Sequence, residues 1–412
     1  MFALSRMVSR GGNKMPELAK RTSRFSGSAS SALNEKIAEL RRQGEIIIRL
    51  NIGEPDFPTP ANVKMAGVKA IADDFTKYCP VAGIYDLKAA IANKFATENN
   101  IHCALNQITT TVGAKQAIFS ALMAVADEGD EVIVPTPCWV SYIDMVKITS
   151  ATPVLVPLKE ENGYALDVDA IAAKVTPHTK AIIICTPNNP TGAVYDEESL
   201  RKLGQLAVEK DFYIIADEIY ECLLYDGAKH VSVASLSPEF QSHTITVNGV
   251  SKAYAMTGWR LGFATGPANV IKAMLNLQSQ STSATSSISM QASVEALNGP
   301  KDDRAKMAAA YAERKEYVCK RLSALPGVHF ADPKGAFYLF PDFSYYFGKK
   351  AGKYTINNAM DLSAYILSEY KVAVLPGDAF SEPGHIRISY ANSMENLKEA
   401  FDRIEKALKA LA

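Results

Sequence analysis

The chain carries no CxxC pair, no GxxxxGK[ST] or GxGxxG glycine loop, and no apolar run that approaches the length of a membrane span. These absences remove the thiol-redox motif, the nucleotide-binding fingerprints and the spanning helix. Charge is not in excess either: Lys plus Arg and Asp plus Glu each number 44 in 412 residues. A nucleic-acid footprint needs a basic bias, so that class of partner is disfavoured. The six cysteines, Cys79, Cys103, Cys138, Cys185, Cys222 and Cys319, stand singly, mostly in apolar runs. Buried free thiols in a reducing compartment are the expectation, with no metal site. Acids are missing from MFALSRMVSRGGN (1–13), which holds two arginines and two serines. Residues 1–14 therefore suit an organelle-targeting presequence, or an unstructured arm with a second start at Met15. The cytoplasm is the expected location, a mitochondrion or related organelle the alternative.

The length exceeds one ordinary core, so two domains or one large α/β domain are expected. After a Gly- and Ser-containing lead, Leu33, Ile37 and Leu40 mark one face of a helix over 32–43. The stretch IIIRLNIGEPDFPTP then reads as a short strand that breaks into a Gly/Pro turn. Beyond residue 105, apolar runs alternate with helical stretches: QITTTV, EVIVP, AIIIC, FYIIA, TITV and LGFAT. Continuous rather than alternating apolar runs predict strands covered on both faces, a mostly parallel sheet in an α/β layer architecture. After about residue 300 the pattern becomes α+β. A charged helix over 302–325 leads to short strands around HFADP and AFYLF, a helix from about Met360, VAVLP and HIRIS. A last helix is capped by Ser393, with Leu397, Phe401, Ile404, Leu408 and Leu411 inward. The expected division is an arm at 1–26, a small α+β domain from 27–60 and 304–412, and a large domain at 61–303.

Ligands of open α/β sheets sit at the carboxyl ends of the strands. Four runs deliver suspicious residues there. FYIIA is followed by Asp217-Glu218-Ile219-Tyr220, and AIIIC by a turn containing Asn189-Pro190-Thr191-Gly192. TITV leads to Ser251-Lys252, and QITTTV to Gly113-Ala114-Lys115 at a helix start. A small-residue turn opening a helix presents free N–H groups and the positive dipole end to a phosphate. Asp217 follows five apolar residues and must find a cation or donors, or raise its pKa. Lys252, at the mouth of an apolar pocket, is easily desolvated, and a neutral amine can form a Schiff base. Arg260 then reads as a phosphate partner. Each feature alone has an ordinary explanation: a helix cap, a turn, a surface lysine. Their convergence on one edge favours a site.

The strings NIGEPDF (51–57), YCPVAGIYDL (78–87), TVGAKQAIF (111–119), PCWVSY (137–142), PNNPTGAVY (187–195), DEIYECLLY (217–225), NGVSKAYAMTGWRLG (248–262) and HIRISYA (385–391) closely resemble class I aminotransferases. These are pyridoxal 5'-phosphate enzymes of fold type I, and the chain is most similar to the bacterial-type aspartate aminotransferase subgroup. The resemblance runs from about residue 17 onward. It implies a large domain whose mostly parallel seven-stranded sheet is sandwiched by helices, plus a smaller α+β domain. Lys252 would be joined to the cofactor's aldehyde and, once freed by substrate, would move the substrate's α-proton. Asp217 would pair with the pyridine nitrogen. Tyr220 and Asn189 would bond the phenolic oxygen, and Trp139 would stack on the ring. The N–H groups of Gly113, Ala114 and Lys115, with Ser251 and Arg260, would hold the phosphate. Tyr78 would reach the cofactor of the other subunit, making a homodimer the functional unit. Arg387 would clamp the substrate α-carboxylate, with Gly53, Trp139 and Asn189 beside it.

The same resemblance implies transfer of the amino group of L-aspartate to 2-oxoglutarate by a ping-pong mechanism. Aspartate needs a second cation, and the stretch 277–287 (LQSQSTSATSS) contains no arginine to supply one from a partner subunit. In the similar subgroup the phosphate-loop lysine does this work with small hydroxyl residues. Lys115 fits that role here, with Ser28 and Ser30. Some members of that subgroup also accept prephenate, helped by a further basic residue near the N-terminal segment, where Ser26 aligns and Arg24 lies close. Broader donor specificity, a lyase on the same fold and a regulator that keeps the fold are the alternatives. No DNA-binding module is visible, and every cofactor position reads intact.

Overall fold

The computed structural model describes residues 16–25 and 29–412. Segment 1–14, Ser26, Ser28 and the side chain of Ser30 lie outside the described residues. The expected arm is not wholly irregular: Lys20–Ser23 form one 3-10 turn, and Arg24 Nη1 donates to Ser150 Oγ at 2.7 Å.

The strands are β1 (Ile48–Arg49), β2 (Ile108–Thr111), β3 (Glu131–Thr136), β4 (Thr152–Pro157), β5 (Thr179–Cys185), β6 (Tyr213–Asp217), β7 (Thr244–Gly249) and β8 (Gly262–Thr265). They continue with β9 (Tyr338–Leu339), β10 (Lys350–Ala351), β11 (Tyr354–Thr355), β12 (Val372–Ala373), β13 (Leu375–Pro376) and β14 (Ile386–Ser389). The main sheet has seven strands in the order β2-β8-β7-β6-β5-β3-β4. Only β8 runs against its neighbours, so the sheet is mostly parallel, as expected.

The continuous apolar runs are explained by two faces and two cores. Ala181, Ile183 and Ile215 enter one apolar cluster, whereas Ile182, Ile184, Ile214 and Ala216 enter another. Successive side chains of a strand point to opposite faces, so a strand buried on both must be apolar at every position. The edge strand β4, TPVLVP, had no such signature; only Val156 in it is buried.

The remaining strands make a three-stranded sheet β13-β14-β9, a parallel pair β1-β12 and a hairpin β10-β11. VAVLP thus splits between two sheets. HFADP forms no strand; His329 makes only an isolated bridge to Asp342. The first helix begins at Ala29, three residues before the periodicity suggested. The last helix, Met394–Lys409, starts as expected: Ser393 Oγ accepts from Asn396 N at 3.2 Å. Its apolar stripe packs into the same cluster as Ile48, Leu50 and the helix Ala114–Val125. All six cysteines are free, but only Cys138 and Cys185 are buried; the other four are half-buried. No helix among the described residues is long and apolar enough to cross a membrane.

Candidate active site

The C-terminal ends of β2, β5, β6 and β7 meet the β1 turn and β14 around a cavity of about 370 Å³. Gly53, Ala114, Lys115, Trp139, Asn189, Asp217, Tyr220, Ser251, Lys252, Arg260 and Arg387 all line it. Tyr78 does not: it is 100% exposed on the isolated chain.

Lys252 Nζ donates to the carbonyl of Gly53 at 2.5 Å and has no carboxylate within ion-pair distance among the described residues. Burial pushes its pKa down to about 8, with Arg387 and Arg260 acting the same way against Glu54 and Asp217. A useful fraction of the amine is therefore neutral near pH 7–8, the nucleophilic form.

Asp217 ends β6 and is 5% exposed. Its Oδ2 accepts from Tyr142 Oη at 2.6 Å and its Oδ1 from Ile219 N at 3.2 Å. Burial raises its pKa to about 6, opposed chiefly by the Tyr142 hydrogen bond. An acceptor set with no cation is suited to a protonated ring nitrogen, whose charge would offset the desolvation.

An anion cradle closes the other end. Helix Ala114–Val125 starts at Gly113, whose φ of +80° favours glycine. A Cβ there would strike the Arg260 guanidinium. Gly113 N–H does not face the cavity; it donates to Thr111 O at 2.8 Å. Ala114 and Lys115 carry the first-turn N–H groups that have no intrahelical acceptor. Arg260 is held by Thr257 O at 2.8 Å and meets no carboxylate in an ion pair among the described residues. Ser251 lies beside Lys252 at the same end.

Arg387 is buried on β14. Its Nη1 donates to Asn189 Oδ1 at 2.9 Å and its Nη2 to Asn51 O at 2.8 Å, while Nε has no partner. The guanidinium lies over Tyr338 at 4.4 Å from the ring centre. A buried cation fixed by neutral acceptors, with one donor left over, is prepared for an incoming carboxylate. Lys115 Nζ sits 4.6 Å from the centre of the Trp139 ring.

Sequence reasoning missed Tyr142, the donor to Asp217, and Tyr338, whose Oη pairs with Tyr220 Oη at 2.8 Å. Tyr142 stood within a quoted string, in the first turn of the helix Ser141–Thr149, and nothing local aimed its hydroxyl at Asp217. Nothing in AFYLF marked Tyr338.

Comparison with known proteins agrees with this arrangement. The family described as "Aminotransferase class I and II" matches residues 45–404. The chain belongs to that family. Relatives include the aspartate/prephenate aminotransferase of Thermus thermophilus, 45% identical over 96% of this chain and 99% of the relative. The aspartate aminotransferase of Geobacillus stearothermophilus is 42% identical over 96% of this chain and 100% of the relative. Among solved structures, the Thermus thermophilus aspartate aminotransferase with maleate superposes with a TM-score of 0.90 at 43% identity, covering 95% of this chain and 100% of that one. The fold is therefore fold type I, and this aminotransferase is an enzyme.

Proposed function

We propose that this aminotransferase moves the amino group of L-aspartate to 2-oxoglutarate in two half-reactions, using pyridoxal 5'-phosphate. The observation that carries the reading is the pairing of Lys252, a half-buried lysine with no acidic partner among the described residues, with an anion cradle that also lacks one. When bound, the cofactor supplies an aldehyde for the amine and a ring that accepts electrons when the substrate's α-proton leaves.

The chain's own residues do the rest. Ala114 and Lys115 N–H, Ser251 and Arg260 hold the phosphate. Asp217, oriented by Tyr142, holds a proton on the ring nitrogen. Asn189 and Tyr220 bond the phenolic oxygen, and Trp139 covers the ring. Arg387 grips the α-carboxylate, which fixes the α-hydrogen toward the amine of Lys252. With the cofactor bound, that amine would be placed to take the proton from the substrate's α-carbon, and burial, which lowers its pKa to about 8, favours its neutral, basic form. Lys115 meets the second carboxylate. Tyr78, exposed here, would be covered in a homodimer and reach the partner's phosphate. Relatives named for both aspartate and prephenate support a second, broader reading in which prephenate is also accepted.

The direct test is borohydride reduction of the cofactor-loaded protein, followed by peptide mass mapping. A pyridoxyl adduct on Lys252 and conversion of aspartate in a single half-reaction are expected. An unlabelled Lys252 overturns the cofactor assignment; labelling without aspartate conversion overturns the substrate.

A further inference from the structure

One wall of the cavity carries a group of unsatisfied atoms, of which the roles above use only Arg387 Nε. β1 alternates: Ile48 and Leu50 enter the core, while Arg49 and Asn51 face the cavity. Three buried side-chain atoms there have no hydrogen-bond partner: Arg49 Nε, Asn51 Oδ1 and Arg387 Nε. Buried polar groups without partners are uncommon, so three on one wall are a signal of an absent ligand. Asn51 is 4% exposed, so water does not easily satisfy it. The groups are linked. Asn34 Oδ1 receives Arg49 Nη2 at 3.4 Å and Asn51 Nδ2 at 3.5 Å, both long, and Asn51 O receives Arg387 Nη2 at 2.8 Å.

Charge points the same way. The lining contains the cations Arg49, Lys115, Lys252, Arg260 and Arg387 against the acids Glu54 and Asp217. On the proposed function, Lys252 becomes covalently engaged, Arg260 meets the phosphate, Asp217 the ring nitrogen and Arg387 the α-carboxylate. Lys115 and Arg49 then remain against Glu54 alone, so the cavity still lacks one negative charge. Burial and the nearby Arg41 both oppose the charge on Arg49, and only Glu54 supports it.

The geometry points to Arg49 as a specificity-determining residue that, with Asn51 and Lys115, selects substrates carrying a second carboxylate. The inference rests on the transaminase reading and deepens it: dicarboxylic amino and keto acids are favoured through the Arg49 guanidinium, which lines the same cavity as Lys115.

The test is calorimetric titration of the cofactor-loaded enzyme with maleate, a non-reacting dicarboxylate, and with propionate, which has one carboxylate. The ratio of the two affinities is expected to fall about ten-fold or more in Arg49→Met, the loss of one charge-assisted contact. It should fall similarly in Arg49→Gln, which keeps a donor for Asn34 should the Met variant not fold, and be partly restored in Arg49→Lys. An unchanged ratio in the folded variants, or equal losses for both ligands, overturns the role of Arg49. Failure of the wild type to convert aspartate in a half-reaction overturns the underlying reading instead, and the two failures are scored separately.

Discussion

The segment Asp217–Glu221 has two faces, and they treat buried charge in opposite ways. On one face Asp217 and Tyr220 look into the cavity, near a lysine that no carboxylate neutralises. On the other, Glu218 and Glu221 meet Lys94, Asn99, His230 and Ser232 in a buried network that pairs most of their charge, with Glu218 Oε1 and His230 Nδ1 left unpartnered. Lys94 forms an ion pair with Glu221 and donates to Asn99 Oδ1 at 2.5 Å. Asn99 Nδ2 reaches Glu221 at 2.6 Å, and His230 Nε2 lies 3.1 Å from Glu218. The Glu221 carboxyl is held below its usual range by Lys94 and His230 despite burial, and His230 is raised by Glu218. Lys94 is a buried lysine and Lys252 a half-buried one, but the first is consumed by the fold and the second is kept for chemistry.

Replacing each lysine separates the two roles. Lys252→Ala is expected to lower turnover by roughly 10⁴-fold or more, because it removes both the nucleophile and the proton carrier. Its unfolding free energy should hold or rise, since an unpaired, partly desolvated amine is lost. Lys94→Met should do the reverse. It strands Glu221 without its cation and should cost about 3–5 kcal/mol in urea unfolding, while borohydride still labels Lys252. Equal effects on stability from both substitutions would erase the contrast.

A pH titration sharpens it further. The folded pKa of Lys252 is about 8, below the ordinary 10.5. Between those values the unfolded chain binds more protons than the cofactor-free native protein, so native stability rises with pH across that window. The gain is on the order of 3 kcal/mol, present in the wild type and missing in Lys252→Met. Lys94→Met keeps Lys252 and should leave the pH 8–10.5 slope in place.

How much of this was legible in the sequence follows from the same contrast. Asp217, Asn189, Ser251 and Lys252 could be read because each follows a continuous apolar run, and a polar group at the end of a doubly buried strand has few places to go. Glu218 and Glu221 share the DEIYE string, yet nothing local says that they turn away from the cavity. Their partners come from residues 94, 99 and 230 and are assembled only by packing. Arg49 ends a two-residue strand and Asn51 lies two positions beyond it, so the alternation is too short to read, and Tyr338 arrives from the second half of the chain. Lys115 was read through its resemblance to a phosphate loop; its place over Trp139 is a tertiary fact. Edge strand β4 was hidden because half-exposed residues and two prolines dilute its pattern.

The smallest effect is expected at Tyr142, which bridges fold and chemistry by donating to Asp217. That bond favours the ionised carboxylate, so Tyr142→Phe should raise the Asp217 pKa above about 6. A raised folded pKa means that the native state holds its proton longer than the unfolded chain. The resulting stability penalty is absent below pH 3.8 and complete above the folded pKa. Removing the donor should therefore destabilise the cofactor-free protein by about 1.5–3 kcal/mol at pH 8, the range for a hydrogen bond to a charged group. At pH 4, where the carboxyl is largely protonated in the folded protein, the cost should be smaller. Urea unfolding at the two pH values measures the difference; equal losses would mean that the hydroxyl supports packing alone and leaves the charge of Asp217 to its other neighbours.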